Sequence, residues 1–147
     1  MYPKGGNMLH SIRHSINNDQ LFRNILAGLN QTFHNQTVDG KQVQEYISRK
    51  AGFDYTHVFQ QYLTTTEIPT LQLYVDAENH EIKYRYVNSL SEFNLPLSLV
   101  GTSEELKIYP EANEWKSIAI TNKNQYLFTP ARIEYMYYLN VALVKEL

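Results

Sequence analysis

Two histidines stand four apart in the run His-Ser-Ile-Arg-His, residues 10–14. On a helix that spacing brings both imidazoles to one face, as helical metal sites require. The zinc-peptidase motif H-E-x-x-H also needs a glutamate after its first histidine, as general base toward metal-bound water. Ser11 holds that position here, and no third ligand lies within sequence reach of His10 and His14. The incomplete set favours histidines that face solvent or another domain. Just upstream, Lys4-Gly5-Gly6 precedes an apolar-periodic run. Free amides and the dipole at a helix start attract anions. A phosphate loop, however, places its lysine after the glycines, as G-x-x-x-x-G-K-[ST]. The favoured reading is a plain helix start whose glycines allow close backbone packing. Glu104-Glu105 follows Gly101-Thr102-Ser103 and reads as a solvated turn, not a catalytic carboxylate pair. Asn30 and Asn35 each open an N-x-T triplet, a pattern too frequent by chance to carry an argument.

Composition narrows the classes. The chain has 147 residues, 43% hydrophobic and 19% charged. A chain of this length buries roughly 68–70% of its unfolded surface, enough for a true core. The net charge of −2 disfavours nucleic acid as a partner, since binding a polyanion needs a basic face. The absence of cysteine removes disulfides and thiolate zinc sites. No apolar run approaches the ~20 residues of a membrane span. Nine of the 12 tyrosines lie after residue 60, and tyrosine suits half-buried strand surfaces.

The elements that position these residues fall into two kinds. Met8, Leu9, Ile12 and Ile16 recur at helical spacing, with His10 and His14 on the opposite side. A second helix has Leu21, Phe22, Ile25, Leu26, Leu29 and Phe33 on its face, with Asn18 or Asp19 as cap. Asp39 and Gln42 form a capping-box pattern for a third helix, stopped by Gly52. A fourth starts at Asp54 and faces inward with Tyr55, Val58, Phe59 and Tyr62. After Thr66–Pro69 the period becomes two. Leu71, Leu73 and Val75 alternate with polar neighbours, as do Ile82, Tyr84 and Tyr86, and Phe93, Leu95, Leu97 and Leu99. Residues 106–109, 116–120, 125–128 and 133–144 complete a set of six or seven short strands. Pro96 marks its strand as an edge, because proline offers no ladder donor. The pattern predicts an α+β chain: about four helices over residues 1–67, then an Ig-like antiparallel β-sandwich over 68–147.

Four stretches, in order, resemble one family. Y-P-K-G-G-x-M-L-H-x-I-R, from Tyr2 to Arg13, is similar to the Y-x-K-G segment of the gluzincin zinc aminopeptidases, the family of aminopeptidase N and leukotriene hydrolase. NNDQLFRNIL (17–26), TVDGKQVQEYISRKAGFDYTHVFQQYL (37–63) and TEIPTLQLYV (66–75) resemble the helices that follow and the exit into a β-sandwich domain. The resemblance implies that Tyr2 donates its phenol hydrogen to the oxyanion of the tetrahedral intermediate. One such donor is worth on the order of 10²–10³ in rate. It implies structural roles for Lys4 and Gly5, and zinc held by H-E-x-x-H plus a downstream glutamate.

That zinc motif is absent, as is the Gly-x-Met-Glu-Asn segment that binds a substrate amino terminus. The chain therefore reads as the C-terminal piece of a longer zinc aminopeptidase-like protein, inactive alone. Zinc belongs to the intact parent, with no ligand or other cofactor in this chain. The implied partners are the parent's peptide substrate, the rest of its catalytic domain, and a second copy meeting an exposed helical face. The alternative is a non-catalytic module that binds protein or carbohydrate through its tyrosines.

Overall fold

The structure, a computed structural model, describes residues 2–147, with side chains from Lys4 onward. Four helices come first: α1 (Tyr2–Ile16), α2 (Asp19–Thr32), α3 (Gly40–Ala51) and α4 (Thr56–Thr64). Their ends are set by local chemistry. The Asn18 side chain accepts from the Leu21 amide at 2.9 Å to start α2. Asp39 and Gln42 close a reciprocal capping box on α3. Gly52 ends α3 in the left-handed region, φ 78°, where a side chain would be strained. Asp54 accepts from the Thr56 amide at the start of α4; Tyr55 at its cap and Val58, Phe59 and Tyr62 within it are all buried.

The remainder is β1 (Thr70–Asp76), β2 (Glu81–Val87), β3 (Leu97–Val100), β4 (Glu105–Ile108), β5 (Lys116–Ala119), a 3₁₀ turn (Gln125–Phe128), α5 (Pro130–Met136) and β6 (Asn140–Leu143). The first two strands pair antiparallel, Leu71 opposite Tyr86 and Leu73 opposite Tyr84. The sheet runs β5-β2-β1-β6, and β6 lies parallel to β1. A separate antiparallel ribbon joins β3 to β4. The chain is α+β, with about four helices followed by mixed sheets.

The differences from the strand reading have local causes. Residues 125–128 and 130–136 are helical, not extended. Thr129 precedes Pro130, and a proline in the first helical turn loses no hydrogen bond. This helix carries the chain across to where β6 must enter parallel, so the sheets are mixed, not all antiparallel. Pro96 is buried and stands just before β3, outside any strand. Val75 is exposed near the end of β1, not buried as its place in the alternation predicts.

Helix α1 departs from its expected stripe in a telling way. Met8 and Ile12 are buried, but Leu9 is exposed and the other buried positions are Ser11 and Ser15, both without solvent contact. Their hydroxyls are used. Ser11 Oγ donates to the Asn7 carbonyl at 2.9 Å and accepts the Tyr138 amide at 2.7 Å. Ser15 Oγ is 2.9 Å from the Tyr55 hydroxyl, and the Ser15 carbonyl accepts from Ser98 Oγ at 3.0 Å. Tyr137 Oη accepts the Ser98 amide at 2.8 Å and donates back to the Ser98 carbonyl at 3.0 Å. Tyr62 donates to the Tyr138 carbonyl at 2.6 Å and stacks on the Tyr138 ring. Helices and strands thus share one buried set, running from Met8 to Leu139.

Gln61 fastens the connection between α4 and the strands. It is fully buried; its amide donates to Thr65 Oγ1 and the Glu67 carbonyl, and its Oε1 accepts the Leu90 amide at 2.6 Å. Gln61→Leu keeps the volume and strands the Leu90 donor. The expected cost is about 1–3 kcal/mol, read as a lower urea midpoint at an unchanged slope; an unchanged midpoint would show that the amide finds another partner.

Burial pushes the phenols of Tyr62, Tyr86 and Tyr137 well above their ordinary range, because an ionised ring in the core loses its hydration. Unfolded tyrosines release their protons near pH 10 while these three retain theirs, as expected from a reference value of about 10. Their contribution is complete below that pH and is lost as pH rises above it. Alkaline titration should show a fraction of tyrosines that ionise only together with unfolding; smooth ionisation of all of them in a chain that stays folded would contradict their burial.

Candidate functional site

The residues singled out for chemistry lie mainly on α1. Tyr2 begins the helix, and its side chain lies outside the described residues, so the implied oxyanion role has no geometry to test. Lys4 reaches across to α4: its Nζ donates to the Thr65 carbonyl. The lysine is therefore committed to a backbone acceptor where α4 gives way to β1. Gly5 and Gly6 have open space where a Cβ would stand. The expectation that they allow close packing against another backbone is incorrect: among the described residues, nothing outside the helix's own backbone and the adjoining residues lies within 4 Å of either Cβ position.

His10 and His14 come together, ring centres 4.3 Å apart and edge to face. His10 is exposed and His14 half-buried, with its ring edge toward Tyr137 at 6.1 Å. Burial, with the neighbouring His10 and Arg13 charges, pushes the His14 imidazole below its ordinary range. Arg13 is held by Asp19 through two bonds of 2.9 and 3.1 Å. Among the described residues no group of three or more His, Cys, Asp or Glu is placed to hold a metal ion. Zinc of the peptidase type does not fit these residues.

The remaining candidates are dispersed. Glu104 accepts from Ser103 and Tyr126, while Glu105 accepts from Asn17 at 2.6 Å. The two carboxylates are engaged by different neighbours and do not act as a pair. Asn30 lies within α2, and Asn35 sits in the exposed turn after it with φ 55°.

A surface the strand reading missed lies beside His14. Ala131, Arg132, Tyr135 and Met136 of α5 line an open depression of about 570 Å³ with that histidine. Tyr135 is 83% exposed, the most exposed of the large apolar side chains. Arg132, also in the lining, donates to the Val100 carbonyl at 2.7 Å and lies 5.3 Å over the Tyr126 ring. The Tyr126 hydroxyl donates to Glu104 and accepts the Thr102 amide. A Cβ on Gly101 would fall 1.8 Å from that hydroxyl, so the close approach itself requires glycine. The lining combines apolar side chains with the Arg132 guanidinium. Thr129-Pro130 was the signal for it, since serine or threonine followed by proline commonly starts a helix. Alternation over residues 133–144 hid that signal.

His14 and Met136 also border a second depression with Arg13, Asn17, Asp19 and Val100. One surface therefore continues from the end of α1 across to α5. Among the described residues no helix is long and apolar enough to cross a membrane. Comparison with protein-family models and with curated proteins finds no match for this chain.

Proposed function

We propose that this chain is a non-catalytic interaction module that meets protein, with a second copy as the partner most directly testable. The supporting observation is the α1–α5 surface: Tyr135 stands exposed beside Ala131, Met136 and His14, where an aromatic ring with a polar tip suits a contact. Leu9 and Leu26, exposed on α1 and α2 at 38% and 39%, extend the apolar character of the helical half. In this reading the contact surface is shared between α1 of residues 1–67 and α5 of residues 68–147. Residues 68–147 are read as a reduced Ig-like sandwich, built from the four-stranded sheet and the separate β3–β4 ribbon.

A second reading keeps the chain as the C-terminal part of a gluzincin-type peptidase. The observation favouring it is that the segments carrying the resemblance pack together: α1 against α2 and α4, with Lys4 on the Thr65 carbonyl beside the exit into β1. No zinc-dependent step is assigned to this chain. The coding sequence upstream of Tyr2 distinguishes the readings. An in-frame H-E-x-x-H with a downstream glutamate supports the peptidase, and a stop or an unrelated domain contradicts it.

Sedimentation velocity over a hundredfold concentration range tests the leading proposal. Association that weakens about tenfold or more in Tyr135→Arg, as loss of a central aromatic contact of about 1.4 kcal/mol or more requires, supports it. A monomer throughout that range contradicts a second copy as partner. Hydrolysis of an aminoacyl-anilide by the pure chain, abolished by a chelator, would overturn the non-catalytic reading.

A further inference from the structure

We propose that His10 and His14 form a surface chelate for a divalent transition cation on α1, with solvent completing its coordination. Residues four apart on a helix carry Cβ atoms about 5–6 Å apart, close enough for two imidazoles to share one metal. With metal–nitrogen bonds of about 2.0–2.1 Å, two ring centres on one ion lie roughly 4.5–5 Å apart. The observed separation is 4.3 Å. Because His10 is exposed, its ring turns freely from the present edge-to-face contact into a shared bite.

Two features of the surroundings favour the cation. The backbone beneath the pair is fixed, since Ser11 and Ser15 on the buried side are bound to Tyr138, Tyr55 and Ser98. The helical turn that carries both ligands is therefore fixed before a metal arrives, which lowers the ordering cost of binding. Arg13, the cation between them in sequence, is compensated by its paired bonds to Asp19.

The chemistry of the donors ranks the ions. Two imidazoles and water suit Cu²⁺ and Ni²⁺ above Zn²⁺ in the usual divalent order. The Met136 thioether borders both depressions that His14 lines, adding a soft group nearby. With at most two protein nitrogens the site is not a zinc-peptidase centre, and no bond-breaking step is assigned to it. Its effect is structural: a metal bridging residues 10 and 14 braces the helical turn that carries Ser11 and Ser15.

Isothermal titration of the metal-free chain with Cu²⁺ and separately with Zn²⁺ tests this, alongside electron paramagnetic resonance of the Cu²⁺ form. The expected result is one strong site per chain and a Cu²⁺ spectrum split by two imidazole nitrogens. His10→Gln, an exposed change, should weaken binding by about tenfold or more, because the second ligand acts at millimolar effective concentration. His14→Gln should do the same, and His34→Gln should change nothing. Zn²⁺ should raise the melting midpoint of the native chain but not of His10→Gln. Unchanged affinity in both His10→Gln and His14→Gln, a single-nitrogen spectrum, or loss of the site in His34→Gln would overturn the proposal.

Discussion

Helix α1 can lie only where two fully buried hydroxyls find partners. An unpaired hydroxyl in the core costs about 1–3 kcal/mol, and Ser11 and Ser15 are both without solvent contact. Apolar packing alone would let the helix rotate or slide along the strands by a fraction of a turn. The serines prevent that, because their partners are single atoms at set places: the Tyr138 amide, the Tyr55 hydroxyl and, through the Ser15 carbonyl, Ser98. Each partner is itself held. Tyr137 grips both backbone groups of Ser98, and Tyr62 takes the Tyr138 carbonyl. The first helix, the fourth helix, strand β3 and the segment before β6 are tied to one small polar cluster. What α1 carries outward, the histidine pair and one wall of the α5 groove, takes its position from what α1 carries inward.

This arrangement explains which parts of the fold were legible. Helix ends could be read because capping is local chemistry: Asn18, the Asp39–Gln42 box and Gly52 act within three or four residues of themselves. The β1–β2 pair could be read because a half-buried sheet enforces alternation, and Leu71, Leu73, Ile82, Tyr84 and Tyr86 are buried as alternation requires. The inward serines could not. A serine in a helix ordinarily reads as solvent-facing, and its partners lie 40 to 127 residues away in sequence. Residues 133–144 misled for a related reason. Tyrosine, methionine and leucine in near-alternation favour a strand, yet Pro130 and the crossing to a parallel β6 impose a helix first.

The candidate site divides in the same manner. The histidine spacing was visible in five residues, since helical geometry alone brings positions four apart together. The α5 groove was not visible, since it depends on an element read as extended. Lys4 was read for its charge, whereas the fold uses its length, spanning from α1 to the Thr65 carbonyl. Tyr2 carries the most specific implication of the resemblance and the least structural information. The proposed interaction module is distinguished by surface chemistry: a paired-histidine face and an apolar groove with an exposed aromatic, adjoining at His14.

Native-state hydrogen exchange at the Ser98 and Tyr138 amides tests most directly whether the buried polar cluster holds the helical and strand halves together. If it does, both amides exchange only through global unfolding, with the same protection as the paired amides of β1 and β2 and the same dependence on denaturant. Exchange through a smaller opening, with Ser98 and Tyr138 released while β1 and β2 remain protected, would show that α1 detaches on its own and that the cluster does not bind the two halves into one body.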